Sequence, residues 1–332
     1  MKKTGTNLNR ISEFQELISR EVGSFCRALK ARPARLYEPL SYVLSLEGKR
    51  VRPVLTLMAC DLFDADVSRA LQPALGLELF HNFSLIHDDI MDNAPLRRSK
   101  PTVHEKWSTA VALLSGDAML VKAYQLMSSC ANLQVLELFS EMALAVCEGQ
   151  QLDMDFEKLK TVSIAEYLQM IELKTATLIA ACLKTGALIA GARAEDAKRI
   201  FEFGKNIGIA FQLQDDILDT YGEEEKFGKQ KGGDIIANKK TFLLLKALEL
   251  SGLNAYKKEE LELWMNATAA NAREKVEAVT GIFDSLNIRD LAVAEMLKFY
   301  NKGIGYLNEI PASEEKMNNL KVLVGGLIKR EK

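Results

Sequence analysis

Residues 164–190 read IAEYLQMIELKTATLIAACLKTGALIA. Ile164, Tyr167, Leu168 and Ile171 recur at spacings of three and four, the period of an α-helix buried along one stripe. Further along, the stretch is apolar on more than one face, as expected of a helix packed between neighbours. The same spacing runs through Ile11–Leu29, Val135–Met154 and Ala194–Leu218. β-branched residues nowhere alternate with polar ones over a useful length, so strand signals are weak. Six of the seven prolines lie at or before Pro101, leaving the long central stretch from Val103 to Glu309 free of helix breakers.

Breaks are expected at Ala31–Pro39, Phe63–Asp66, Asn93–Pro101, Gly191–Ala194, Gly222–Gly233 and Ser251–Asn254. No Gly/Ser linker, repeat or low-complexity tract separates two halves. The expectation is a single all-α domain over residues 1–332, a large helical bundle around a central cavity that spares it an oversized core.

Charge is nearly balanced, 43 Lys+Arg against 45 Asp+Glu, which argues against a general nucleic-acid binder. The five cysteines show no CxxC spacing and read as free thiols in a reducing, cytoplasmic setting. The N-terminal MKKTGTNLNRISEF has no apolar stretch after its lysines and does not read as a signal peptide. The apolar region Thr177–Gly191 is interrupted by Lys184 and reads as too short to cross a bilayer, so no transmembrane segment is expected.

Chemistry concentrates in two acidic clusters. His87-Asp88-Asp89-Ile90-Met91-Asp92 closes the apolar run Leu71–Ile86, and Asp215-Asp216-Ile217-Leu218-Asp219 closes Ile200–Phe211. In each Asp-Asp-x-x-Asp, the first and third carboxylates lie one helical turn apart on one face, where like charges repel. A bound cation removes that cost. All-oxygen ligands suit Mg²⁺, which keeps positions open for phosphate oxygens. One such cluster also fits a solvated helix end; two, each trailed by basic residues, point to cation binding.

The basic residues are Lys49, Arg50 and Arg52 upstream, Arg97 and Arg98 after the first cluster, then Lys174, Lys229 and Lys239. Guanidinium forks match phosphate oxygens and lysines add point charge. Any one alone reads more readily as surface charge. Lys174 stands out, since it interrupts the apolar stretch Ile171–Ala190 and calls for an anionic partner. Two sets of cations and two acidic clusters imply two polyanions.

Together these residues resemble the trans-isoprenyl diphosphate synthases, or polyprenyl synthetases, from about Leu44 to Arg330 and in the family's order. Asp88–Asp92 with Arg97-Arg98 looks like the first aspartate-rich motif, and Gly208–Asp219 looks like the second. Gly149-Gln150-Gln151-Leu152-Asp153 and Lys174-Thr175-Ala176-Thr177-Leu178 fill the positions between. The resemblance implies that isopentenyl diphosphate is condensed with an allylic diphosphate by a homodimer using three Mg²⁺ ions. Asp88 and Asp92 would bind two, and Asp215 the third with help from Asp216 and Asp219. Arg97, Lys174 and Lys239, with Lys229 nearby, would hold the allylic diphosphate. Lys49, Arg52, His81 and Arg98 would hold isopentenyl diphosphate, with Thr175 and Gln212 at the reacting centre. Glu47, Ala176, Asn238 and Leu243 depart from the family's pattern, and none removes a charged ligand.

Product length should depend on residues below the first motif. Phe83 and Ser84 lie five and four residues before Asp88, about 6–8 Å down the helix. An aromatic followed by a small residue there resembles short-chain enzymes, particularly geranylgeranyl (C20) synthases, with farnesyl (C15) and longer products as alternatives. Phe83 as an ordinary core residue is the competing reading. A di-iron carboxylate bundle needs a second Glu-x-x-His beside Glu78-Leu79-Phe80-His81, and the sequence has none. A P-loop fails because five residues, not four, separate Gly222 from Gly228-Lys229. Lys49 and Arg52 with the second cluster favour chain elongation over a terpene cyclase. A non-catalytic helical partner subunit is the rival of another class.

Overall fold

The computed structural model describes residues 4–222, 232–252, 255–267 and 272–328. In chain order come α1 (Thr4–Ala28), α2 (Ala34–Ser45), α3 (Val51–Leu62), a 3₁₀ turn (Val67–Ala70) and α4 (Leu71–Met91). A two-residue hairpin follows, β1 (Leu96–Arg97) and β2 (Lys100–Pro101), then α5 (Val103–Lys106), α6 (Thr109–Ser128), α7 (Leu133–Lys158) and α8 (Ile164–Ile171). A π turn (Glu172–Ala176) leads into α9 (Thr177–Ala190) and α10 (Ala194–Tyr221). The remainder is α11 (Gly233–Ile236), α12 (Phe242–Ser251), α13 (Ala255–Met265), α14 (Ala272–Ser285), α15 (Ile288–Asn308) and α16 (Glu314–Ile328). The fold is all-α, and the hairpin is its sole sheet among the described residues.

Two boundaries differ from the sequence expectation. The first break is shorter than Ala31–Pro39, because α2 continues through Pro39. A proline inside a helix costs about 3 kcal/mol. Complete burial of Leu40, Val43 and Leu44 on the same helix offsets it, at about 1.5–3 kcal/mol per side chain. The apolar run is also longer than Thr177–Gly191, since the π turn continues the helix without a break. Ile164–Ala190 is therefore long and apolar enough to cross a membrane, yet 61% of its most apolar window is buried within the protein, as in a core helix.

The chain divides into two compact units. The first comprises Met1–Ala143, Ala181–Phe201 and Leu307–Leu323; the second comprises Leu144–Ala180, Glu202–Tyr306 and Val324–Lys332. In the first, α4 and α6 pack antiparallel, with Gly76 against Met127 at one end and His87 against Gly116 at the other. Leu57, Leu77, Phe80, Met119 and Phe139 fill its core. In the second, Tyr167, Leu213, Ile217, Phe242 and Phe283 belong to one buried cluster.

The second unit is organised around the π turn. Ser163 and Glu166 form a reciprocal capping box that starts α8. Eight residues on, the N–H of Thr177 bonds to the carbonyl of Glu172, five residues back, and the Thr177 hydroxyl donates to the same oxygen at 2.8 Å. The widened turn carries Lys174 and Thr175. Two backbones close on it: a Cβ on Gly149 of α7 would lie 2.3 Å from the Lys174 nitrogen, and one on Gly208 of α10 would lie 2.4 Å from the Ala176 Cα. Gly149→Ala must push backbone from backbone, so it should destabilise the protein by about 1–3 kcal/mol in chemical denaturation. An unchanged midpoint would show that the approach is not a constraint.

Candidate active site

The first aspartate cluster sits where α4 ends. The Asp92 N–H donates to the Asp88 carbonyl at 2.8 Å, keeping these two residues one turn apart at the helix terminus. The middle residue, Asp89, is buried and faces Arg97. Arg97 Nε donates to its two carboxylate oxygens at 2.8 and 2.9 Å, and Nη2 approaches at 2.7 Å. Burial raises the pKa of Asp89 and Arg97 opposes that shift. Arg97 is placed by the hairpin turn, in which Arg98 and Ser99 both adopt positive φ, 52° and 60°. Glycine and asparagine are the usual residues of such a turn, so the sequence hid it inside an expected break.

The upstream cations gather in the same unit. Arg52 Nη1 lies 3.0 Å from His81 Nε2, and Arg98 Nη1 donates to the Leu46 carbonyl at 3.4 Å. Burial holds the His81 imidazolium well below its ordinary range, and Arg52, Arg98, Arg97 and Arg50 push the same way. His81 is thus neutral at physiological pH and can accept from Arg52. Arg50, given no role by the sequence, pairs with buried Glu78 at 2.5 Å and also donates to the Leu44 carbonyl. Glu78 and His81 are thereby engaged with arginines, and Glu78 further accepts from Asn82 at 3.0 Å. Among the described residues no three His, Cys, Asp or Glu side chains form a ready-made metal cage. Lys49 is exposed.

Below the motif, the Phe83 ring makes an edge contact with His87 at 4.7 Å and a tilted one with Phe80 at 5.5 Å. The Ser84 hydroxyl donates to the His81 carbonyl at 2.9 Å. His87 occupies the space opposite Gly116 and lies 3.3 Å from the Leu113 carbonyl.

In the second unit, a cleft of about 100 Å³ brings together Lys174, Thr175, Gln212, Asp216 and Lys239 from the sequence-derived set. Asp153, Tyr167, Asp234 and Lys240 line it as well. Lys174 Nζ donates to Asp153 Oδ2 at 2.5 Å, a partner the sequence quoted within Gly149–Asp153 without a role. Thr175 Oγ1 donates to Gln212 Oε1 at 3.1 Å; Gln212 Nε2 donates to Asp216 Oδ1 at 3.1 Å; and the Tyr167 hydroxyl donates to Asp216 Oδ2. Tyr167 carries no sequence signal, since a phenol at an apolar helical position reads as core. Asp219 is turned toward α11, where its Oδ2 accepts from the Asp234 N–H at 3.0 Å. Lys229 lies outside the described residues.

Burial, followed by the nearby charge of Asp234, pushes Asp216 up to about 8, while the bonds from Tyr167 and Gln212 oppose the shift. Burial and Asp216 raise Tyr167 well above its usual value, so the phenol keeps its proton. Asp153, Asp216 and Asp234 thus bring carboxyl oxygens beside Lys174, Lys239 and Lys240 in one cleft.

A family model described as polyprenyl synthetase matches residues 33–283. A geranylgeranyl diphosphate synthase of Methanosarcina mazei is 43% identical over 223 residues, covering 66% of this chain and 69% of its own. A geranylgeranyl diphosphate synthase of Sulfolobus acidocaldarius is 35% identical over 308 residues, 90% of this chain and 92% of its own. The crystal structure of geranylgeranyl pyrophosphate synthetase from Pyrococcus horikoshii Ot3 superposes with a TM-score of 0.88 at 33% identity, covering 99% of this chain and 100% of that one. With the aspartate clusters standing in that family's order on an all-α isoprenoid synthase fold, the chain belongs to the polyprenyl synthetase family and is an isoprenyl diphosphate synthase.

Proposed function

We propose that this synthase elongates an allylic diphosphate with isopentenyl diphosphate up to the C20 product, geranylgeranyl diphosphate. The observation that carries the reading is the convergence of Lys174, Thr175, Gln212 and Lys239 with a carboxylate of the second motif on one cleft. Family membership and the geranylgeranyl diphosphate synthases among the relatives support the product length. The family match includes residues of both compact units, which supports reading 1–332 as one synthetase domain.

In this reading Lys174 and Lys239, with Lys229 and the Asp89-anchored Arg97, hold the allylic diphosphate. Lys49, Arg52, Arg98 and neutral His81 hold isopentenyl diphosphate. Asp88 and Asp92 would hold two Mg²⁺ ions, and Asp215, assisted by Asp216 and Asp219, would hold a third. Bound Mg²⁺ supplies neutralisation of the charge that grows on the departing diphosphate. The lysines and arginines share that charge as the C1–O bond breaks. Thr175 and Gln212 face the allylic carbon with oxygen atoms as positive charge develops there. The alkene of isopentenyl diphosphate, fixed by its own cationic set, forms the new C–C bond. The released diphosphate takes the proton that completes the product. Exposed Leu113, Leu114 and Val121 on α6, at 44, 62 and 57%, support a homodimer that covers them. Five free thiols support a cytoplasmic setting.

Incubation with isopentenyl diphosphate, each allylic starter and Mg²⁺ should release diphosphate and end at a C20 chain. A longer terminal product would refute the length, and no diphosphate release would refute the activity. Phe83→Ala should lengthen the product by chromatography; an unchanged product removes Phe83 from the floor. Asp216 binds its proton more tightly folded than unfolded, so its contribution is present below its ordinary value near 3.8 and fades as pH rises through about 8. Metal-free protein should therefore lose thermal stability as pH rises from about 4 to about 8, the span between those two values. Asp216→Asn should flatten the decline, and an identical slope in the variant would contradict the assignment.

A further inference from the structure

The hydrogen bonds that end at Thr175 begin at a residue outside the reacting centre. Tyr167 is only 2% exposed and is rooted in the core of the second unit. Its hydroxyl donates to Asp216 Oδ2, and Gln212, one turn before Asp216 on α10, donates its amide to Oδ1. Both oxygens of Asp216 thus have fixed partners, Tyr167 at Oδ2 and the Gln212 amide nitrogen at Oδ1. With its nitrogen on Asp216, the Gln212 amide turns Oε1 toward Thr175. An amide oxygen cannot donate, so the proton between Thr175 Oγ1 and Gln212 Oε1 comes from Thr175. The hydroxyl hydrogen is thereby committed to Gln212, and the lone pairs of Thr175 are directed away from that bond.

We infer that Tyr167 is a positioning residue for prenyl transfer: through Asp216 and Gln212 it fixes the Thr175 hydroxyl with its lone pairs toward the developing allylic cation. This rests on the reading of Thr175 as a group at the reacting centre. Asp216 then serves as the anchor of the relay as well as assisting Asp215. Orientation that is set before the substrate ionises needs no rearrangement during the step, which is where fixed dipoles contribute most.

The test is a double-mutant cycle on the full-length enzyme. Tyr167→Phe removes one hydroxyl from a buried ring and should lower kcat about tenfold, the size of one lost orienting hydrogen bond. KM for both diphosphates should stay within about twofold, because the Tyr167 hydroxyl bonds to Asp216 and to neither diphosphate. In a Thr175→Val background Tyr167→Phe should have no further effect on kcat. Gln212→Met cuts the chain one link later, and Tyr167→Phe should be silent there too. A full tenfold loss in those backgrounds, or a matching rise in KM, would assign Tyr167 to packing and overturn the relay. Wild-type kcat for Thr175→Val would overturn it at a different point, by removing Thr175 from the reacting centre.

Discussion

Backbone contact around one widened helical turn governs the second unit. α7 and α10 reach Lys174 and Ala176 at distances that only a missing Cβ permits, at Gly149 and Gly208. That closeness brings Asp153 of α7 to 2.5 Å from the Lys174 ammonium and Gln212 of α10 to 3.1 Å from the Thr175 hydroxyl. A regular α-helical turn would rotate these two side chains by a large fraction of a turn. The irregular turn, the two glycines and the polar side chains are therefore one device, and none of its parts has the same meaning alone.

The first unit solves a different problem, the assembly of like charges. Arg50, Arg52, Arg97 and Arg98 all act on the same histidine. Two buried carboxylates moderate the crowding: Glu78 takes Arg50 and Asp89 takes Arg97. The arrangement leaves His81 uncharged, since one more cation there would be costly. A cluster of this kind is unfavourable in isolation and becomes favourable when a polyanion arrives. Such a balance suits a substrate carrying two phosphates.

The helices were legible because burial imposes a period on the chain. Ile164 and Ala190 bound the apolar pattern as well as the observed helix, and Ser163 with Glu166 starts it. The acidic motifs were legible because their spacing is local. What escaped the sequence depends on partners brought together by tertiary packing. Tyr167 and Asp216 are 49 residues apart, and Arg50 and Glu78 are 28 apart. Asp89 and Asp216 are set apart from their motif neighbours by burial, which spacing does not reveal. The path of α2 through Pro39 escaped for a similar reason, since a local rule yields to tertiary burial.

The hairpin that carries Arg97 has one more implication. Arg98 and Ser99 are held left-handed without the relief that glycine gives, at a cost of about 1–3 kcal/mol for each such residue. An engineer seeking thermostability would choose that tip first, because glycine at Ser99 would release conformational tension. The same change would slacken the strap that presents an arginine to its carboxylate. Stability and the placement of Arg97 against Asp89 are thus set against each other at a site of two residues.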